Sequence, residues 1–229
     1  MMKNKVVILD NGHGIETPGK RSPDGLFREY QWTRKFVKML KYELEEWGYI
    51  VINIVPEDHD LGLSSRVSRV NKIVDQYGVN NCILISIHNN AAGNGDKWYN
   101  VTGWEAYTCP GKTKSDRLAD LLYEEIKFLN IPVRKDMSDN DYDKEARFTL
   151  LLKSNCPAVL TENMFMDSKE DIEFLTSDFG MNNLLKAHLT GIKRYFENPS
   201  NNRDEWLIDH PNWDNYWIKK SKISKCNYK

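Results

Sequence analysis

Short apolar runs alternate along the chain with stretches whose apolar residues recur every three or four positions, and few folds accommodate that alternation. Lys5–Asp10, Tyr49–Val55, Cys82–His88 and Ala158–Thr161 read as strands, and the continuous apolar character of Cys82–His88 marks a strand buried on both faces. Gly103–Cys109 reads as a shorter strand. Between them, Phe36, Val37, Leu40, Leu44 and Trp47 make one stripe of a helix over about Arg28–Trp47, which Gly48 ends. Leu63, Val67, Val70, Val74 and Tyr77 repeat the spacing before Gly78, and Leu118, Leu121, Leu122, Ile126 and Leu129 do so again. Ser168 with Asp171 has the spacing of a capping box, and Leu185, Leu189, Ile192 and Phe196 mark a last helix ending near Asn198. This order predicts an α/β fold with a largely parallel sheet.

A chain of 229 residues is long enough for one such core and short for two. Residues 1–197 are expected to form it, with a linker at Pro199–Asn202 inside a tryptophan-rich tail, 198–229. The Asn- and Gly-rich stretch Asn89–Thr102 is expected on the surface, and the acidic stretch Asp136–Glu145 as a mobile loop. A net charge of −1 argues against nucleic-acid binding. No apolar stretch approaches the roughly 20 residues of a membrane span, and Val6–Leu9 is too short for a signal-peptide core, so the product as written is expected in the cytoplasm. Cys82, Cys109, Cys156 and Cys226 show no paired spacing and read as free thiols.

His13, His88 and Glu162 fall at or just beyond the carboxyl ends of predicted strands, the edge where open α/β sheets bind ligands. His13 sits in Asp10-Asn-Gly-His-Gly14, and Glu29, at the predicted start of the first helix, lies 16 residues further on. Two imidazoles and a carboxylate form a donor set suited to catalytic zinc, with a fourth position left for water. Glu162 would add a carboxylate able to take the water's proton and pass it to a leaving nitrogen. Each residue also has an ordinary structural reading. His13 fits a glycine-flanked turn, Glu29 a helix start favoured by the macrodipole, His88 a half-buried strand end, and Glu162 an ion pair with a cation such as Arg147. Separations of 16 and 59 positions match no local zinc pattern, so spacing alone does not choose between these readings.

The phrases Val6-Val-Ile-Leu-Asp-Asn-Gly-His-Gly14, Phe27-Arg-Glu-Tyr30, Ile85-Ser-Ile-His-Asn-Asn-Ala91, Gly103-Trp-Glu105 and Pro157-Ala-Val-Leu-Thr-Glu-Asn-Met-Phe165 occur in one order. In that order the chain resembles the N-acetylmuramoyl-L-alanine amidases of the Amidase_3 type over about residues 5 to 197. The resemblance implies a twisted, mostly parallel sheet of about six strands with helices on both faces. It also implies His13, Glu29 and His88 as zinc ligands, Glu162 as the catalytic glutamate, and the amide between N-acetylmuramic acid and L-alanine in peptidoglycan as the substrate bond. Asn11 and Met164-Phe-Met166 depart from the commoner residues at their positions without removing a ligand. The short segment between Cys109 and Ala158 leaves no room for a long blocking helix, so an enzyme active on its own, as a monomer, is expected. An intact site without an export signal resembles a phage endolysin, which meets the cell wall after release. The competing readings are a non-catalytic wall-binding module and a zinc peptidase acting on the stem peptide.

Among the remaining features, Asp10 is expected to orient His13 or its backbone, and His59, His188 and His210 to be structural or exposed. Trp206, Trp213 and Trp217 are expected to pack on the domain rather than stack on sugars, and Lys219–Lys222 to be a solvated terminus.

Overall fold

A computed structural model describes residues 4–138, 141–197, 202–210 and 213. The elements follow in the order β1 (Val6–Asn11), α1 (Glu29–Glu46), β2 (Ile50–Asn53), α2 (Leu63–Tyr77), β3 (Cys82–Asn90), β4 (Glu105–Thr108) and α3 (Lys114–Phe128). They continue with β5 (Lys144–Glu145), α4 (Thr149–Lys153), β6 (Ala158–Phe165), α5 (Lys169–Thr176), α6 (Asp178–Glu197) and α7 (Arg203–Asp209). The sheet has six strands in the order β2-β1-β3-β6-β4-β5. β2, β1, β3 and β6 run parallel, while β4 is antiparallel to β6 and carries β5 parallel to itself. The mostly parallel α/β architecture is the expected one.

Alternation along the strands divides the apolar residues between two layers. Val7, Leu9, Ile83, Ile85 and Val159 share a core with residues of α1, α3 and α6. Val6, Ile8, Leu84 and Ala158 share the opposite one with Val70 and Val74 of α2 and Leu150 and Leu151 of α4. The chain thus leaves β1 through α1 on one face and returns to β3 through α2 on the other. β1 and β3 therefore border the point where strand order reverses, and their carboxyl ends open a crevice.

Several boundaries differ from the expected ones. β3 runs past His88 to Asn90 and β6 past Glu162 to Phe165, so both side chains lie within strands rather than at their tips. Polar residues extend these strands because the sheet edge itself forms the site. The end of the acidic loop forms β5, whose two residues are too few to show a period; Asp143, just before it, is buried and accepts a 2.6 Å hydrogen bond from the Thr108 hydroxyl. Ser168 caps α5 through the Asp171 amide, but the Asp171 carboxylate turns to Thr102 and the Phe165 amide, so the box is half formed. In the tail, Trp206 and Trp213 are buried, and Trp213 packs 5.0 Å from Trp47 and donates to the Thr190 hydroxyl. Trp217, Lys219–Lys222 and Cys226 lie outside the described residues; Cys82, Cys109 and Cys156 are free. Among the described residues no helix is long and apolar enough to cross a membrane.

His188 is fully buried in α6: Nδ1 donates to Leu184 O (2.8 Å) and Nε2 lies 3.2 Å from the Thr161 hydroxyl. Burial pushes its pKa from 6.5 down to about 4, which favours the neutral ring, with Nε2 accepting from that hydroxyl. A base whose pKa is lower folded than unfolded lends stability above pH 6.5 that is lost as the pH falls through about 4. Denaturant titrations between pH 7 and 4 are expected to show wild-type stability falling more steeply than that of His188→Leu; equal slopes would contradict the neutral buried ring.

Candidate metal centre

The crevice is built by close backbone approach. Gly12 continues the β1–β3 pairing through its amide to Ile87 O (2.8 Å), and a Cβ there would lie 2.6 Å from His88 Nδ1. A Cβ on Gly14 would lie 2.1 Å from the Asp60 amide nitrogen. Between these glycines His13 adopts a left-handed φ of 56°, uncommon for a residue with a side chain. Arg34 donates to His13 O (3.0 Å), Thr33 to Gly12 O (3.3 Å), and the Gly14 amide donates to the Thr17 hydroxyl (2.9 Å). The turn is thereby fixed on both sides.

Beneath it lies Arg66 of α2, almost wholly buried. Nη1 donates to Asp10 Oδ1 (2.7 Å) and Asn11 O (2.6 Å), Nη2 to Asp60 Oδ1 (2.8 Å), and Nε to Leu61 O (2.7 Å). Asp60 accepts in turn from Thr17, closing a path back to Gly14. Asp10 thus pairs with Arg66 and accepts from the Ser86 hydroxyl (2.6 Å), and its link to the His13 turn runs through Arg66 to the backbone at Asn11 rather than through the imidazole.

Glu29 is the first residue of α1 and is completely buried. Its Oε1 accepts from the Asn89 amide and lies 3.0 Å from His88 Nδ1, while Oε2 lies 3.6 Å from His13 Nε2 and has no hydrogen-bond partner. The Asn89 amide faces the β1 side of β3, as Ile87 O does, and lies beyond the last β1 pair, where it is free to meet Glu29. The two imidazoles stand edge to face, ring centres 5.0 Å apart, and one donor atom from each of His13, Glu29 and His88 lies within 4.8 Å of the others. Three such donors within 4.8 Å of one another, with a buried Oε2 that has no partner, form a set that a metal ion could draw together.

Glu162 pairs in register with His88 on one side and Glu105 on the other, placing the three side chains in one row on one face. Its Oε2 has no partner, and among the described residues it makes no ion pair with Arg147. Burial pushes the Glu162 pKa up to about 8, His88 opposing and the Glu29 charge adding to the rise. Burial likewise lowers His13 to about 4, Glu29 opposing. For His88 burial acts downward, but the hydrogen bond and charge of Glu29 prevail and its pKa is raised. A metal held by both would take the place of the Glu29–His88 contact.

Glu105 and Arg66 carried no sequence-level assignment. Arg66 was detectable as an arginine four residues before Val70, on the apolar stripe of its helix. Glu105 was visible only as part of the Gly103-Trp-Glu105 phrase. It is buried, accepting from Arg134 Nε (2.9 Å), Lys144 Nζ (2.6 Å), the Tyr107 hydroxyl (2.7 Å) and the Asn90 amide (2.8 Å).

An α/β protein that gathers two imidazoles and a carboxylate able to hold a metal at its strand-order reversal has the architecture of a metal-dependent hydrolase. Residues 7–194 match the Amidase_3 family, N-acetylmuramoyl-L-alanine amidase, and the chain belongs to that family. It is 30% identical over 193 residues to N-acetylmuramoyl-L-alanine amidase CwlM of Bacillus licheniformis, covering 83% of this chain and 68% of that one. It is 26% identical over 245 residues to an endolysin of Bacillus phage SPP1, covering 99% and 84%. The fold matches the crystal structure of N-acetylmuramoyl-L-alanine amidase from Clostridium difficile 630 with a TM-score of 0.73 and 23% identity, over 85% of this chain and 98% of that one.

Because the His88 ring lies against Gly12, Gly12→Ala is expected to fold yet bind Zn2+ about 10- to 100-fold more weakly, the size of effect seen when ligand orientation is disturbed. Calorimetric titration of the two proteins measures it; equal affinities would mean that His88 is not a ligand.

Proposed function

We propose that the protein hydrolyses the amide bond between the lactyl group of N-acetylmuramic acid and L-alanine, with zinc held by His13, Glu29 and His88 and with Glu162 as base and then acid. The observation that carries this reading is the convergence of two imidazoles and a buried carboxylate beside a second carboxylate that has no partner. When bound, zinc would polarise the scissile carbonyl and make water acidic enough to attack near neutral pH.

The chain's own residues supply the remaining steps. His13 and His88 hold their rings at right angles, fixed by the Gly12 and Gly14 turn. Glu162, one strand spacing from His88, accepts the proton of the attacking water as the new C–O bond forms. It then delivers that proton to the alanine nitrogen as the C–N bond breaks, so both products leave neutralised and the carboxylate is regenerated. Its raised pKa suits both halves of the transfer.

All four residues lie within residues 1–197, which we take as the catalytic unit. The similarity to a phage endolysin along nearly the whole chain supports a role in cell-wall lysis.

Digestion of purified sacculi is expected to expose new L-alanine amino termini, detected by muropeptide mass spectrometry, and to stop on removal of metal with a chelator. Glu162→Gln should lower kcat by about 10²- to 10⁴-fold with metal content unchanged. New amino termini on a D-residue would instead assign a peptidase, and wild-type kcat in Glu162→Gln would remove Glu162 from the chemistry.

A further inference from the structure

The Gly103-Trp104-Glu105 phrase builds something that neither metal binding nor proton transfer requires. Gly103 has a φ of 122°, and a Cβ there would stand 2.9 Å from Arg134 Cγ, so the glycine clears a path for the arginine stem. The Arg134 amide donates to Trp104 O (2.8 Å), and the Tyr123 hydroxyl donates to Arg134 O (2.8 Å). The guanidinium lies 5.2 Å from the centre of the Phe165 ring and is tied to Glu105 through Nε. That end-on contact leaves the Nη1/Nη2 fork unused: among the described residues neither nitrogen donates to a protein group, and the side chain is 45% exposed. Lys144 meets the same Glu105 oxygen, so two cations share one carboxylate and the cluster keeps a net positive charge. A fixed, unsatisfied guanidinium fork matches a carboxylate.

Its position indicates which carboxylate. His88, Glu162 and Glu105 form one row across β3, β6 and β4, and strand spacings of about 4.8 Å put the ends of the row about 10 Å apart. Glu162, which protonates the leaving nitrogen, stands between the metal ligands and Arg134, so the leaving peptide runs towards β4. Two extended residues span about 7 Å, which brings the residue after alanine to the guanidinium.

We propose that Arg134, positioned by Glu105 and Gly103 and reinforced by Lys144, is the specificity-determining residue for a free carboxylate on the peptide side of the scissile amide. The inference rests on the amidase reading above. Its test compares two synthetic substrates, both muramoyl-L-alanyl-D-glutamate with the γ-carboxyl blocked as an N-methylamide, one with its α-carboxylate free and the other amidated there. The wild type is expected to favour the acid by about 10- to 100-fold in kcat/KM, carried mainly by KM. In Arg134→Gln the ratio should fall to about threefold or less, and Arg134→Lys, which keeps the charge and loses the fork, should be intermediate. Glu105→Gln, which loosens the guanidinium without removing it, should lower the ratio less than Arg134→Gln does. Melting curves establish folding, and should Arg134→Gln fail to fold, the ratio for Arg134→Lys decides. Cleavage of both substrates without preference, or a wild-type ratio in folded Arg134 variants, overturns this inference alone. Cleavage of neither substrate at the muramoyl-alanine bond overturns the amidase reading and this inference with it.

Discussion

Asp10, Glu29, Glu105 and Glu162 crowd the same end of the sheet, and the site depends on how each of these negative charges is met in a poorly solvated setting. Asp10 faces Arg66, and Glu105 faces Arg134 and Lys144. Glu29 faces two imidazoles, one oxygen remaining over for a cation. Only Glu162 in this group has no cationic side chain within ion-pair distance among the described residues. Removing one partner of a buried ion pair costs about 3–5 kcal/mol, so Arg66, buried with Asp10, is needed for the fold to carry this density of carboxylates. The carboxylate left without a counter-charge is then the one whose proton affinity rises, as a group that must both take and give a proton requires.

The backbone meets a separate demand, which is to bring donors from distant segments into contact without intervening side chains. Gly12 and Gly14 do this by giving up side chains that would collide with His88 and Asp60. His13 pays for its exposed position with a left-handed backbone, a cost on the order of 1–3 kcal/mol, offset by Arg34, Thr33 and the Arg66 network. The turn is consequently held on both sides while its imidazole stays partly open to solvent, as the ligand role proposed for His13 requires.

The layers of the fold were legible in sequence because each strand and helix carries its own period. The stripe Phe36–Leu40–Leu44 and the run Cys82–Ile87 require no partner to be recognised. The triad was not legible from spacing, since Glu29 reaches His88 across 59 positions and only the sheet topology joins them; the ordered family phrases supplied what geometry-free reading lacked. Asp10 was expected to orient His13 or its backbone because carboxylates commonly fix ligand imidazoles, whereas its partner Arg66, 56 positions away on α2, is joined to it only by the fold and carries it to the backbone at Asn11. β5 escaped because a two-residue strand has no period, and with it went the link from Lys144 to Glu105. Arg134 escaped for a related reason: an arginine in a polar loop carries no signal until Gly103 and Glu105 are seen to enclose it.

The end of β3 joins the two halves of the site. Its Asn89 amide faces the β1 side beyond the last β1 pair and donates to Glu29, while the Asn89 side chain donates to Asn163 O. Asn163 in turn donates to His88 O and accepts from Trp104 Nε1. One position further on, the Asn90 side chain donates to Glu105. Two consecutive asparagines thus fix Glu29 on one side and the arginine-bearing carboxylate on the other. Because successive β3 residues face opposite neighbours, one strand end can serve both, and it ties Glu29 of α1 to the row of His88, Glu162 and Glu105 along which we have proposed that an extended peptide lies.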